Sequence, residues 1–285
     1  MVTRLAWTTA GAARGLDPDE PLALEELRRR GIVVDVVDWD DATVAWEAYD
    51  RAVLRSTWDY QDRLAEFLGW AERTAARTDL RNPLPLVRWS TDKHYLVELA
   101  AAGVPVPRST FVEPGEDVEL PDGPLVVKPA VGAGSRGLAA YDAGQADLAR
   151  AHVERLHAIG RSVLVQPRLA SVAREGERAL VFFDGTFSHA ATKRVTLPVA
   201  GSVDELFAAE ETGPHEAAPD ELAVARAALE VAQRGCGIST YARVDLVRDD
   251  DGTPCVLELE LVEPSLFLAE GGPGSTERLV DALLR

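Results

Sequence analysis

Two lysines, an arginine and a set of carboxylates carry the chemistry legible in this chain. Lys128 follows a short apolar run, Leu125 to Val127, and leads through Pro129 into Gly132-Ala133-Gly134-Ser135-Arg136-Gly137. Glycines reach backbone angles closed to other residues, so such a loop can fold its amides around phosphate oxygens while the lysine supplies positive charge. Lys93 reads as a first-turn helix residue, where its charge opposes the helix dipole unless it reaches for an anion such as a phosphate. Further on, Tyr241 to Val247 and Cys255 to Leu261 flank a turn at Asp249-Asp250-Asp251-Gly252. Period-two alternation puts Arg243 and Asp245 on one face of the first run, and Glu258 and Glu260 on one face of the second. Magnesium favours few carboxylates completed by water and substrate phosphates, which this cluster could provide. The plainer alternatives are a glycine-rich hairpin without a ligand and a solvent-facing polar stripe. Against the stripe, Glu258 and Glu260 repel each other unless a cation offsets them.

The glycine loop matches several nucleotide-binding templates only in part. It spells G-x-G-x-x-G, but a dinucleotide fingerprint opens directly into a helix, and here Leu138 to Tyr141 reads as a second strand. Leu138-Ala139 stand where a Walker loop needs Lys-Ser/Thr. A protein-kinase loop has its lysine downstream and needs H-R-D and D-F-G signatures that the chain lacks. Ala133 occupies the first glycine position of a serine-hydrolase elbow. The aspartate-rich turn is too short for a calcium loop, and the five histidines show no metal-ligand spacing. Cys236 and Cys255 sit in apolar surroundings and read as buried, inert thiols.

The elements that must position these residues follow from a chain of 285 residues, long enough for two domains or one large one. Hydrophobic content of 46% describes a globular protein, and a net charge of −17 argues against a nucleic-acid surface. No apolar run approaches bilayer length and the start lacks a signal core, so no membrane partner is expected and the cytoplasm is the expected compartment. Strand Thr3 to Thr8, a helix capped by Asp17-Pro18-Asp19-Glu20 and ended by Gly31, and strand Ile32 to Val37 form a parallel unit. A third strand, Ala52 to Leu54, runs into Arg55-Ser56-Thr57-Trp58-Asp59-Tyr60. Ligands collect at the carboxyl ends of such strands, which makes Arg14, Arg55, Trp58 and Asp59 candidate substrate contacts. Residues 82–89 read as a proline-bearing linker, with a boundary at 88. A helix from Asp92 to Ala102 with Thr91 as cap, a helix from Ala143 to Ala158, strand Val163 to Val165, a loop to Gly176, and a hairpin turning at Asp184-Gly185 follow. Val195 to Pro219 reads as irregular, and a helix from Asp220 to Arg234 precedes the Arg243 hairpin.

In this order, Lys93, Val-Val-Lys128-Pro with its glycine loop, Gln166, Arg243-x-Asp245 and Glu258-x-Glu260 resemble the ATP-grasp superfamily over roughly residues 90 to 285. Met1 to Arg88 resembles the domain that precedes it. The resemblance implies an α/β protein with three parts: a Rossmann-like pre-ATP-grasp domain (1–88), a small α+β lobe with the flap (89–166), and a C-terminal lobe with metal and catalytic residues (167–285). It implies an ATP- and magnesium-dependent, ADP-forming carboxylate–amine ligase that activates an amino-acid-like substrate as an acyl phosphate. Lys93 and Lys128 would hold the α- and β-phosphates, and Gly134, Ser135, Arg136 and Gly137 would form the flap. Gln166, Pro167, Arg168 and Leu169 would lie beside adenine, Glu177 at the ribose, and Lys193 at the terminal phosphate. Arg243 would steady the tetrahedral intermediate, with Asp245, Glu258 and Glu260 at the metal. The family commonly has Asn at the Glu260 position. Glu263-Pro264-Ser265 would face the acyl substrate.

The stretches RSTWDY, GERALVFFDGTFSHA and LELELVEPSLFL are similar to the O-ureido-D-serine cyclo-ligase branch of that superfamily, where ring closure is intramolecular. The alternatives are an intermolecular amino-acid ligase of glutathione synthetase or RimK type, and a non-catalytic nucleotide-binding regulator. Intact Lys128, Arg243, Asp245 and Glu258 argue against the regulator. A homodimer is compatible with each reading.

Overall fold

The computed structural model describes residues 2–195 and 210–285. The first 81 residues build β1 (Arg4–Thr9), α1 (Glu20–Arg29), β2 (Val33–Asp38), β3 (Arg51–Ser56), α2 (Leu64–Ala75) and β4 (Asp79–Arg81). The sheet order is β2-β1-β3-β4 and every pairing is parallel. All six β3 residues and five of the six β1 residues are buried, the pattern of central strands covered on both faces. Aromatic packing fills one side: Trp39 meets Phe67 edge-on at 5.5 Å, and Trp46 meets Trp70 at 5.2 Å.

Two expectations for this region are corrected. Helix α1 begins at Glu20, with Asp19 at the cap position and no side-chain cap. Asp17 instead accepts the Asp19 amide at 3.0 Å, and both carboxylates turn toward buried Arg55 at 3.4 and 3.5 Å. The expected linker is α3 (Leu84–Ser90), with Pro83 at its cap and Pro85 in its first turn. Proline suits the first turn of a helix, where its missing N–H costs nothing, so it opens an element here rather than breaking one.

Helix α4 (Tyr95–Ala101) starts after Lys93, and Thr91 donates to Arg88 O rather than capping it. Lys93 therefore lies in a turn ahead of the helix, its amide bonded to Ala130 O at 3.0 Å, and the dipole conflict does not arise. An antiparallel sheet in the order β5-β8-β6-β7 follows, from β5 (Thr110–Val112), β6 (Leu125–Pro129), β7 (Ala139–Tyr141) and β8 (Val163–Pro167), with α5 (Ala146–Ala158) between β7 and β8. Ala149, Val153 and Leu156 of α5 pack on Val127, Tyr141, Val163 and Val165. Strand β5 is too short for its alternation to show in the sequence.

The acidic-basic loop to Gly176 contains α6 (Ala170–Glu175). A larger antiparallel sheet then forms from β9 (Glu177–Phe183), β10 (Thr186–Val195), β11 (Glu210–His215), β12 (Tyr241–Arg248) and β13 (Pro254–Glu260), ordered β11-β10-β9-β12-β13. Asp184 and Gly185 both have positive φ, 48° and 71°, as the two-residue hairpin requires. Of the stretch expected to be irregular, residues 196–209 lie outside the described residues, and 210–215 is the edge strand β11. Helix α7 (Pro219–Gln233) covers the sheet. The chain ends in α8 (Ser275–Leu284), an element the sequence reading did not contain, which packs Leu279, Val280 and Leu283 with Leu24 and Leu27 of α1.

The N-terminal and C-terminal sheets are bolted together by buried polar contacts. Asn82 donates to Tyr241 O and Leu261 O, both at 2.8 Å, and accepts from the Thr240 amide at 2.6 Å. The Tyr241 hydroxyl donates to Leu54 O at 2.6 Å. Cys255 is buried and Cys236 only part-buried; both are free thiols, and burial pushes Cys255 up to about 11, away from reactivity. Among the described residues, no helix is long and apolar enough to cross a membrane.

Candidate active site

The glycine loop, the Arg243 hairpin and the Trp58 loop meet around one cleft. Its walls include Lys93, Lys128, Lys193 and Arg243 as cations, Glu258, Glu260 and Glu263 as carboxylates, and Trp58, Tyr60 and Phe267 as aromatics.

Hairpin β6–β7 pairs Leu125 with Tyr141 and Val127 with Ala139, so the intervening loop closes over the cleft from the strand that carries Lys128. Gly134 and Ser135 have φ of 62° and 63°, consecutive left-handed residues that only a nearly Cβ-free loop reaches easily. The loop is tied down from the N-terminal region: the Ala133 amide donates to Gln61 Oε1 at 3.1 Å, and Arg136 pairs with Asp62 at 2.5 Å. Lys93 Nζ donates to Gly132 O at 3.1 Å and pairs with Glu258 at 2.9 Å. Burial alone would lower the Lys93 pKa, but Glu258, with Glu260 and Glu263, outweighs it and the pKa is raised. Lys128 is equally buried and makes no ion pair within 4 Å among the described residues. Burial lowers its pKa, Glu258 opposes that, and Lys93 adds to it. Lys128 is a desolvated cation held in reserve.

Register explains the opposite wall. Strands β12 and β13 pair Arg243 with Glu260 and Asp245 with Glu258. Arg243 makes a bidentate contact with Asp245, Nε to Oδ1 at 2.8 Å and Nη2 to Oδ2 at 2.9 Å, and pairs with Glu260. Its Nη1 donates to Ser265 O at 3.0 Å, and its guanidinium lies 5.4 Å from the Phe267 ring centroid. Lys193 pairs with Glu177 at 2.7 Å and Asp245 at 2.9 Å. Burial lowers the Lys193 pKa, yet Asp245 and Glu177 raise it overall. Glu177 is raised by burial, which Lys193 opposes. Burial raises Asp245 too, but Arg243 and Lys193 bring it down to about 2. Burial lifts Glu260 to about 8 against the pull of Arg243, with Asp245 and Glu258 adding repulsion.

The structure brings Trp58, Lys93, Lys128, Gly134, Ser135, Arg136, Lys193, Arg243, Glu258, Glu260 and Ser265 to this cleft. Gly137 sits at the base of the loop with φ of 74°, where a Cβ would stand 3.4 Å from the Pro129 ring. Asp245 is wholly buried behind Arg243 and Lys193, and among the described residues no group of three or more His, Cys, Asp or Glu converges on one point. The acidic pair that reaches the cleft from this hairpin is therefore Glu258 and Glu260. Gln166 is buried and donates to Ser109 Oγ at 2.9 Å; Pro167 ends β8; Arg168 pairs with Asp142, and Leu169 leads into α6. These four residues join the two antiparallel sheets and do not line the cleft.

Three substrate candidates are not brought to it. Arg14 is exposed and pairs with Asp38 at 2.9 Å, and Asp59 accepts from Trp39 Nε1 at 2.7 Å and faces Arg63. Arg55 is 1% exposed, enclosed by Asp17, Asp19, Trp7 and Tyr241. A strand-end position places a residue near a crevice, but local ion pairs claim these charges. Sequence reasoning missed Gln61 and Asp62, which anchor the glycine loop, and did not single out Tyr60 as a candidate. The only signal was their position directly after the Trp58 loop. Glu263, 6% exposed, has no ion-pair partner among the described residues; burial lifts its carboxyl to about 7, with Tyr60 hydrogen-bonding it.

Comparison with known proteins places this geometry among relatives. Residues 5–82 match the family model "D-cycloserine synthetase DcsG, N-terminal domain". The chain is 42% identical over 284 residues to the cycloserine biosynthesis protein DcsG of Streptomyces lavendulae, covering 95% of each. The crystal structure of D-cycloserine synthetase DcsG superposes with a TM-score of 0.90 at 41% identity, over 98% of each chain. A D-alanine–D-alanine ligase from Bacillus anthracis gives a TM-score of 0.72 at 17% identity, covering 100% of this chain and 96% of that one. A RimK-domain ATP-grasp protein from Sphaerobacter thermophilus gives 0.66 at 21%, covering 99% and 100%. The last two are likenesses of fold, and that fold is ATP-grasp.

Proposed function

The chain belongs to the DcsG family of ATP-grasp ligases, and from that premise we propose that it forms a C–N bond within an amino-acid substrate at the expense of ATP, closing a ring as a cyclo-ligase. The observation that carries this is the cleft itself, in which Lys93, Lys128, Lys193 and Arg243 face Glu258 and Glu260 beneath a glycine loop.

A carboxylate acylates poorly because its leaving group is oxide. In the proposed reaction a substrate carboxylate oxygen attacks the terminal phosphorus of ATP, the bond to the bridging oxygen breaks, and ADP leaves. The substrate's nitrogen then attacks the carbonyl carbon, the C–N bond forms, and phosphate departs with its oxygen while the nitrogen gives up a proton. Lys93 and Lys128 neutralise phosphate charge from the side of the glycine loop, and Lys193 from the opposite sheet. Arg243, rigid between Asp245 and Ser265 O, presents fixed positive charge to the oxyanion of the tetrahedral intermediate. The loop amides exclude water from an acyl phosphate that would otherwise hydrolyse.

Glu258 and Glu260 suit magnesium, which takes one or two carboxylates and completes its shell with phosphates and water. Among the described residues, every cation of the cleft except Lys128 is already matched by a carboxylate. A polyphosphate drawing Lys93 away leaves Glu258 uncompensated beside Glu260, and a divalent cation arriving with it offsets that charge. Magnesium, when bound, supplies that charge neutralisation. The parts 1–88, 89–166 and 167–285 serve in this reading as substrate-side platform, flap and catalytic lobe, with the nucleotide extending beyond the cleft walls so that its adenine meets Gln166 to Leu169 and its ribose Glu177.

Purified protein given Mg-ATP and O-ureido-D-serine alone should release ADP and phosphate and yield a cyclic product. A requirement for a second amino acid would favour the intermolecular alternative. Absence of any melting-temperature shift with Mg-nucleotide would sink the ligase reading.

A further inference from the structure

Among the described residues, each buried or part-buried carboxylate on the walls of the cleft has a cation beside it except Glu263. Glu258 pairs with Lys93 and Glu260 with Arg243. Glu263 is more deeply buried, at 6% exposure, yet its carboxyl is met by its own backbone amide and the Tyr60 hydroxyl rather than by a paired cation, and its carbonyl accepts from Trp58 Nε1 at 3.2 Å. Lys93, whose charge favours its ionised form, is already held by Glu258 and Gly132 O. A buried carboxylate costs stability unless a cation offsets it. The cleft around it is also its aromatic region, with Trp58, Tyr60 and Phe267 on the walls. Aromatic faces attract organic cations, whereas a magnesium ion asks for several oxygen ligands.

We propose that Glu263 binds the ammonium group of the substrate amino acid, with Tyr60 orienting its carboxylate and Trp58 fixing its backbone. The ligand class is therefore an amino acid whose α-nitrogen is free and protonated. An ammonium has no lone pair and cannot attack an acyl phosphate. Holding that nitrogen as a cation keeps it out of the reaction and leaves ring closure to a second, uncharged nitrogen of the same molecule. This rests on the ligase reading above and adds to it the residue that recognises the substrate ammonium and so keeps that nitrogen from acting as nucleophile.

Calorimetric titration in the presence of magnesium and the ATP analogue AMP-PNP tests it with two probes: O-ureido-D-serine, and the same molecule with hydrogen in place of the α-ammonium. The wild-type protein should prefer the ammonium-bearing probe by roughly tenfold to a hundredfold, the range for a hydrogen bond to a charged group. In Glu263→Gln that preference should fall to about threefold or less, and Tyr60→Phe should weaken it by a smaller factor. Both variants should keep the nucleotide-dependent melting shift, which reports that they fold. A wild-type protein that does not discriminate, or a Glu263→Gln protein that keeps the wild-type preference, overturns the assignment. ADP release by wild type separates the two readings: turnover without discrimination removes only the role of Glu263, whereas loss of both nucleotide shift and ADP release removes the ligase and this inference with it.

Discussion

The carboxylate of Asp19 accepts the backbone amides of Leu266 at 2.5 Å and Leu268 at 2.9 Å, joining the start of α1 to the loop that follows β13. That loop carries Ser265, whose carbonyl receives Arg243, and Phe267, held at a positive φ of 49°. Arg55 stands behind Asp19 at 3.5 Å. A residue pair at the start of α1 and the end of β3 thus fixes the backbone against which the arginine is aimed.

Replacing that anchor should be costly. Asp19→Ala leaves two buried amides unpaired and strips Arg55 of a counter-charge, so a loss of about 2–4 kcal/mol is expected in denaturant unfolding. Asp19→Asn, which keeps one acceptor, should lose less. In that milder variant, turnover should fall while the KM for ATP stays near wild type; equal losses in both would place the effect elsewhere.

Lys128 gives a clean test of the phosphate clamp because it leaves no carboxylate orphaned. Removing a buried, unpaired cation should not lower the stability of the ligand-free protein. Lys128→Ala should melt at or above the wild-type temperature without nucleotide and lose the shift that Mg-nucleotide produces, by linkage.

Glu258→Gln separates binding from turnover. Glutamine still accepts a hydrogen bond from Lys93 but supplies no charge to a metal. Nucleotide affinity should stay within about threefold of wild type and kcat should drop roughly a hundredfold or more, as for an interaction used mainly in the transition state. Full ADP-forming activity in this variant would remove Glu258 from the metal site.

Glu263 should also leave a mark on stability. Burial holds its carboxyl at about 7 instead of 4.5. Between those values the folded protein keeps a proton that the unfolded chain has released, so this contribution is greatest at acid pH and declines as pH rises through about 7. His152 acts oppositely: burial depresses it to about 4 from 6.5, so its contribution grows with pH across that range. The difference between wild type and Glu263→Gln isolates the first effect. From pH 5 to 8 the variant should gain roughly 2–3 kcal/mol relative to wild type in chemical denaturation. Parallel pH profiles would contradict a carboxylate buried without a cation.

Much of this was readable along the chain, because it depends on local periodicity. Alternation in Tyr241 to Val247 and Cys255 to Leu261 is a property of extended backbone and put Arg243 with Asp245, and Glu258 with Glu260, on shared faces; the register that pairs Arg243 with Glu260 and Asp245 with Glu258, and shifts after Asp245, came only with folding. The glycine loop was legible because left-handed angles at Gly134 and Gly137 need glycine. Long helices such as α5 and α7 were readable from their apolar stripes, whereas three-residue strands such as β4 and β5 carry too few residues for a period to show.

Charge partners were not readable, because they are set across distance. Asp17 and Asp19 look like a helix cap locally, yet Arg55 lies 36 residues beyond Asp19 and both acids turn to it. Arg55 looked like a substrate contact until burial enclosed it. Order along the chain was enough to specify most strands, the loop and the residue types that ATP-dependent ligation needs, since each rests on neighbours a few positions apart. Folding alone settled which charges remain unspent: Lys128 and Glu263 face the cleft without an ion-pair partner among the described residues, while Asp245, Arg55 and Asp59 are committed to cations or acids brought close by packing. The energy of a buried charge depends on what the fold places within a few ångströms of it, and no run of neighbouring residues encodes that.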